Sequence, residues 1–136
     1  MAQSTEILPN GLQLLQDDRF FKLGQDSVLL SAFAKPRRNA KLLDLGCGTG
    51  ALALLVWRPD LKITGLELQD GPLDLFRQSI TANELENVTA LQGDLRQMRT
   101  LLPHGSMDYV ICNPPYFDRN AGANAPTAEK RTARQD

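Results

Sequence analysis

From residue 41 to residue 112, short apolar runs alternate with longer amphipathic stretches. Lys41-Leu42-Leu43-Asp44-Leu45 is a buried-strand run, and Ala51 to Trp57 after it reads as a helix broken by Arg58-Pro59-Asp60. Lys62-Ile63-Thr64-Gly65-Leu66-Glu67 is a second strand. Asp70 is expected to cap the next helix, with Pro72 in its first turn and Leu73, Phe76 and Ile80 on one face. Val88 to Leu91 is a third strand running to Gly93-Asp94, Leu95 to Leu101 a short helix, and Met107 to Cys112 a fourth strand. This alternation predicts a parallel sheet with right-handed crossovers. Upstream, Leu12 to Leu15 and Phe20 to Leu23 are expected to pair as a hairpin around Asp17-Asp18. Val28 to Lys35 is expected to be a helix capped by Asp26 or Ser27 and stopped by Pro36. The stretch from Arg119 onward has no period and reads as loop.

Hydrophobic residues at 42% and charged residues at 23% are ordinary for a globular domain and argue against disorder. Fifteen Lys and Arg against sixteen Asp and Glu leave a net charge of -1, which excludes a blanket polycation but not a local basic face. No apolar run approaches the roughly 18 residues that span a bilayer. Met1 to Glu6 lacks the basic and apolar regions of a secretion signal, so a cytoplasmic protein with no membrane contact is expected. Cys47 and Cys112 lack metal-ligand spacing, and no metal is expected. Cys112 is read as packing. Arg37-Arg38 is read as a solvated link, Trp57 as core, and His104 as a turn residue away from the strand ends.

In an open parallel sheet, ligands bind beyond the carboxyl ends of the strands. Four strands end here in unusual residues: Asp44 to Gly50, Glu67, Asp94, and Asn113 to Tyr116. The Gly46-Cys47-Gly48-Thr49-Gly50 loop lets a ligand approach the backbone. Glu67, at the end of the next strand, is placed to accept the hydroxyl protons of a ribose. A dinucleotide would want G-x-G-x-x-G, whereas here the third glycine comes one residue early and an acid precedes the loop. Asp44 suits a ligand carrying an ammonium, such as the amino-acid end of S-adenosylmethionine, and Asp94 would then reach the adenine amine. Asn113-Pro114-Pro115-Tyr116 offers a side-chain amide oxygen, the Pro114 carbonyl and an aromatic face, the parts that hold a planar amino group.

Leu42 to Gly50 followed by Asn113-Pro114-Pro115-Tyr116 resembles the class I S-adenosylmethionine-dependent methyltransferases of the amino-methylating branch. Lys22 to Phe33, Phe117, and Pro126 to Arg134 are similar to the bacterial valine-tRNA adenine-N6 methyltransferases, which modify the adenine just 3′ of the anticodon. The chain departs from that pattern at Gln135-Asp136. The resemblance implies an α/β Rossmann-like fold of seven strands, of which this chain carries the first four in order 3-2-1-4, with an N-terminal hairpin and helix. It implies cofactor contacts from Asp26, Asp44, Gly46, Cys47, Gly48, Gly50, Glu67, Leu68, Asp94, Leu95 and Asn113. Asn113, Pro114, Pro115 and Tyr116 would be the catalytic group.

The expected division is a lead-in over 1–38, an S-adenosylmethionine-binding Rossmann-like half over 39–118, and a loop over 119–136. The expected partner is a tRNA, with Lys130, Arg131 and Arg134 as phosphate contacts. Met107 to Cys112, as the last strand, is expected to form an open edge through which chains self-associate. Glutamine N5-methylation of a protein and a non-catalytic cofactor-binding fragment are the alternative readings.

Overall fold

The computed structural model describes residues 3–19, 25–97, 100, 102 and 105–112, and of residues 25, 26 and 95 the backbone alone. Phe20 to Leu23, His104, Asn113 to Tyr116 and everything after them lie outside the described residues. The chain opens with an antiparallel hairpin, β1 (Gln3–Ile7) and β2 (Gln13–Asp17), and then α1 (Gln25–Phe33). A Rossmann-like alternation follows: β3 (Lys41–Leu45), α2 (Ala51–Leu55), β4 (Lys62–Glu67), α3 (Asp70–Ala82), β5 (Val88–Gln92) and β6 (Tyr109–Cys112). The last four strands form one all-parallel sheet ordered β5-β4-β3-β6, which is the expected order 3-2-1-4.

The described hairpin includes a strand upstream of Leu12, Gln3–Ile7, that the sequence pattern does not announce. Gln13 to Leu15 lie in its second arm and its turn is Leu8-Pro9-Asn10-Gly11, whereas the expected partner strand Phe20 to Leu23 lies outside the described residues. Gly11 takes φ +90 and its N–H donates to the Leu8 carbonyl at 2.8 Å, a bend that an Asn-Gly pair favours. The Asn10 side chain also donates to the Leu54 carbonyl at 2.8 Å, which fastens this turn to the end of α2. Asp17 is a buried carboxylate held by the Arg19 guanidinium at 2.8 Å. The second arm is secured to α3 by side chains. Ser79 Oγ accepts the Leu15 N–H at 2.9 Å, and the Asn83 amide both accepts the Gln13 N–H and donates to its carbonyl.

Other boundaries shift for local reasons. Asp26 and Ser27 lie inside the first turn of α1 and do not precede it. Helix α2 stops at Leu55, short of Trp57, whose indole N–H turns to Asn87 Oδ1 at 2.9 Å. Gln69, not Asp70, is the residue before α3, and Asp70 sits in the first turn, where a carboxylate also favours the helix dipole. The expected helix at Leu95 to Leu101 is a 3-10 turn over its described start, Leu95–Gln97. The fourth core strand begins at Tyr109, two residues late, because the Asp108 carboxylate accepts the Lys41 N–H and pairs with Arg37.

The core lies between sheet and helices. Leu42, Leu54, Leu61, Ile63, Leu73, Phe76, Val88 and Ile111 are buried within it, together with Leu8 and Leu14 of the hairpin. On α3 the buried face is Pro72, Leu73, Leu75, Phe76 and Ser79, close to the expected stripe, with Ile80 half-buried at its margin. In β3 both sheet faces are covered at Leu42, Leu43 and Asp44, which explains its unbroken apolar run. Among the described residues, no helix is long and apolar enough to cross a membrane, and no group of three or more His, Cys, Asp or Glu can hold a metal ion.

Candidate functional site

Parallel pairing carries three chemically distinct strand ends to one edge of the sheet. The pairs Leu45–Leu66 and Glu67–Gln92 set β3, β4 and β5 side by side, so the glycine loop, Glu67-Leu68 and Gly93-Asp94 follow one another along that edge. The loop turns on three left-handed glycines, Gly46 (φ +64), Gly48 (φ +57) and Gly50 (φ +89), where a side chain would be strained. It is tied to β4 by the Cys47 N–H, which donates to the Leu66 carbonyl at 3.0 Å.

Glu67 faces this loop. Its Oε1 accepts the Gly48 N–H at 2.7 Å and its Oε2 the Gln69 N–H at 3.0 Å. A carboxylate has about four acceptor positions, so two remain for neighbouring hydroxyl donors. Leu68 beside it is 45% exposed, an apolar surface next to a polar cradle. The Gln92 amide donates to the Leu68 carbonyl at 3.2 Å and to the Asp70 carboxylate, which steadies the turn between β4 and α3.

Asp44 lies at the foot of the loop and is 1% exposed. The Ala53 N–H reaches its carboxyl group, yet Oδ2 has no hydrogen-bond partner. Burial, with the Glu67 charge adding to it, pushes Asp44 up to about 8. An orphaned buried oxygen of this kind calls for a donor, and a cationic one would restore its charge. Burial, with Asp44 and Glu67 adding, also drives the Cys47 thiol well above its usual range, so Cys47 is inert there. The residues present therefore fit a ligand with an ammonium at Asp44 and hydroxyls at Glu67.

Asp94 is placed at the same edge, but its carboxylate already carries the Arg96 guanidinium, with Nε at 3.0 Å from Oδ1. That hydrogen bonding holds Asp94 down at about 2. The backbones of Asp26, in α1, and Leu95, in the 3-10 turn, are described without side chains. Asn113, Pro114, Pro115 and Tyr116 lie outside the described residues, as do Lys130, Arg131 and Arg134. Cys112, the last residue of β6, pairs in register with Leu45 at the site edge and is exposed, not packed. Arg37 and Arg38 are exposed at the opposite end of the sheet, as a solvated link should be, and Arg37 pairs there with Asp108 at 3.1 Å.

Sequence reasoning missed Gln69, Gln92, Arg96 and the pair Gly65 and Phe76. A β-carbon built on Gly65 would stand 2.5 Å from Phe76 Cε2 and 2.8 Å from Cys47 Sγ. A glycine inside a strand was the available signal, since it marks a close approach.

The methyltransferase small domain family profile matches residues 24–131. The tRNA1(Val) (adenine(37)-N6)-methyltransferase of Pseudoalteromonas translucida is 34% identical over 105 residues, covering 76% of this chain and 44% of its own length. The protein of the same name from Photobacterium profundum is 32% identical over 114 residues, 80% of this chain and 47% of its own. The chain thus spans about half the length of these curated relatives. The T. Thermophilus 16S rRNA N2 G1207 methyltransferase, solved with AdoMet and guanosine, superposes with a TM-score of 0.68 at 22% identity, over 85% of this chain and 33% of that one. The M. jannaschii tRNA m1G37 methyltransferase gives a TM-score of 0.64 at 19% identity, over 88% and 37%. At these identities the superpositions establish the Rossmann-like fold. With the profile covering most of its length, the chain belongs to the methyltransferase small domain family.

Proposed function

We propose that this chain forms the cofactor-binding half of an S-adenosylmethionine-dependent methyltransferase that methylates N6 of a tRNA adenine next to the anticodon. One observation carries the cofactor assignment above the rest. The buried Asp44 carboxylate, with Oδ2 unpartnered beneath a loop of three left-handed glycines, is built for a ligand's ammonium and not for a phosphate. The curated relatives' names support the adenine substrate.

In this reading Asp44 holds the amino-acid end of the cofactor, and the glycine loop gives it close backbone approach through Gly46, Cys47, Gly48 and Gly50. Glu67 accepts the ribose hydroxyls, while Leu68, Asp94 and Leu95 flank the adenine and Asp26 closes the near side. When bound, the cofactor supplies an electrophilic methyl group on its sulfonium. Asn113 and the Pro114 carbonyl each accept one N–H of the target amine, Pro115 stiffens the turn, and Tyr116 stacks on the base. The base must leave its stack to enter, which suits an anticodon loop better than a duplex. Residues 1–38 serve as lead-in, 39–118 as the cofactor half and 119–136 as an RNA-facing loop in a cytoplasmic protein. Incubation with methyl-labelled cofactor and unmodified tRNA, followed by nuclease digestion, tests the function. Label on N6 of the adenine 3′ of the anticodon is expected; label on protein glutamine, or none on any RNA, would overturn it.

The edge of the sheet gives a separate expectation. Strand β6 pairs with β3 alone among the described residues, and its Val110 is 54% exposed. We propose that chains associate through this edge, as unguarded apolar strands do. Val110→Lys is expected to lower the mass seen by light scattering, and an unchanged mass would count against edge pairing.

A further inference from the structure

We infer that Phe76, which touches no proposed ligand group, is a positioning residue whose ring sets the spacing between the glycine loop and the strand bearing Glu67. This rests on the cofactor reading above and adds to it a residue on α3.

The ring is fully buried and lies between two glycines of different elements. Its Cδ1 lies 2.1 Å and its Cε1 2.5 Å from the position a β-carbon on Gly50 would take. Its other edge, Cε2, lies 2.5 Å from the β-carbon position of Gly65 in β4. Real β-carbons essentially never come within 3.0 Å of another heavy atom, so both positions exclude any residue larger than glycine while Phe76 stays in place. Cys47 Sγ completes the contact, 2.8 Å from the same position on Gly65.

One side chain of α3 thus fills the space between the end of the glycine loop and β4. Two residues beyond Gly65 stands Glu67, whose Oε1 holds the Gly48 N–H at 2.7 Å. Gly50 ends the same loop and immediately precedes α2. A smaller side chain at 76 leaves a void that the loop can settle into, and the loop amides then move relative to the carboxylate. Close-packed interiors transmit such volume changes and do not absorb them. The packing energy of Phe76 is ordinary core energy; what distinguishes the ring is the pair of elements it holds apart.

The test uses three variants of the 136-residue chain, each checked as folded by its circular dichroism below the melting transition. Phe76→Leu keeps an apolar side chain and is expected to weaken S-adenosylhomocysteine binding about tenfold, an effect on the scale of couplings between residues in contact. It should also raise amide exchange at Gly48 about tenfold relative to the core amide of Ile63, as expected where a local opening replaces a held hydrogen bond. Gly65→Ala should weaken binding by crowding the ring. The double variant Gly65→Ala/Phe76→Leu should recover part of the affinity lost in Gly65→Ala, because the added methyl group takes up space the ring vacates while Cys47 Sγ still crowds it. General destabilisation would speed exchange at Gly48 and Ile63 alike, so the local rise at Gly48 is what marks the positioning role. If the parent chain binds and Phe76→Leu binds equally well, the positioning role is wrong and the cofactor reading stands. If the parent chain does not bind, the cofactor reading falls, and Gly48 exchange alone decides: faster exchange in Phe76→Leu upholds the loop contact, and unchanged exchange removes it.

Discussion

Replacing Asn113 with alanine in a form active on tRNA is expected to cut methyl transfer by roughly a hundredfold to a thousandfold, the scale for losing one preorganised polar contact at a reacting group. Binding of S-adenosylhomocysteine should stay within about twofold, since an interaction made chiefly in the transition state lowers turnover and leaves ground-state affinity alone. The physical reason is that an amine conjugated to a purine ring is a poor nucleophile. Two acceptors, the Asn113 amide oxygen and the Pro114 carbonyl, fix the amino protons and thereby aim the nitrogen. Single-turnover assays with the parent and Asn113→Ala proteins measure the effect. Equal rates on unmodified tRNA would remove Asn-Pro-Pro-Tyr from the mechanism.

The second large effect belongs to Asp44. Its carboxyl group is pushed up to about 8 by burial, against an ordinary value of 3.8. The folded chain therefore keeps a proton that the unfolded chain has lost. Stability on this account is fully present below about pH 4 and falls as pH rises toward 8, after which it levels. Asp44→Asn removes that dependence and is expected to stabilise the unliganded chain at pH 7 by on the order of 3–4 kcal/mol. Ligand binding should run the other way. An ammonium beside Oδ2 restores the ionised form, so binding releases a proton and affinity rises up to about tenfold per pH unit below pH 8. Calorimetry in buffers of different ionisation enthalpy reads the released proton. A parent chain whose affinity is flat from about pH 6 to 8, or an asparagine variant no more stable than the parent, would show that Asp44 has another role.

The alternating sheet was legible because its signals are local and repeated. Each of Lys41–Leu45 and Lys62–Glu67 is an apolar run of strand length bounded by glycine or proline breaks, and the strand order follows from short right-handed crossovers. The first hairpin strand, β1, was not legible because Gln-Ser-Thr-Glu-Ile is exposed throughout and carries no burial pattern. It is joined to β2 by the Pro9-Asn10-Gly11 turn, and β2 is in turn held on α3 by Ser79 and Asn83, which are distant in sequence. The site showed the same division. Asp44, the glycines and Glu67 announce themselves by residue type, whereas the engagement of Asp94 by Arg96 is a choice between competing partners that the sequence leaves open. Phe76 read as one more core position on an amphipathic face, and only the three-dimensional approach of Gly50 and Gly65 gives it a second meaning.

The central claim is that Asp44, the glycine loop and Glu67 bind S-adenosylmethionine. Calorimetric titration of S-adenosylhomocysteine into the parent chain and into Glu67→Ala measures it most directly. The parent should bind at a single site, and the variant should lose roughly 1.5–3 kcal/mol, the scale for hydrogen bonds to a charged group. Equal affinity in the two proteins, or no binding heat in the parent, would contradict the account.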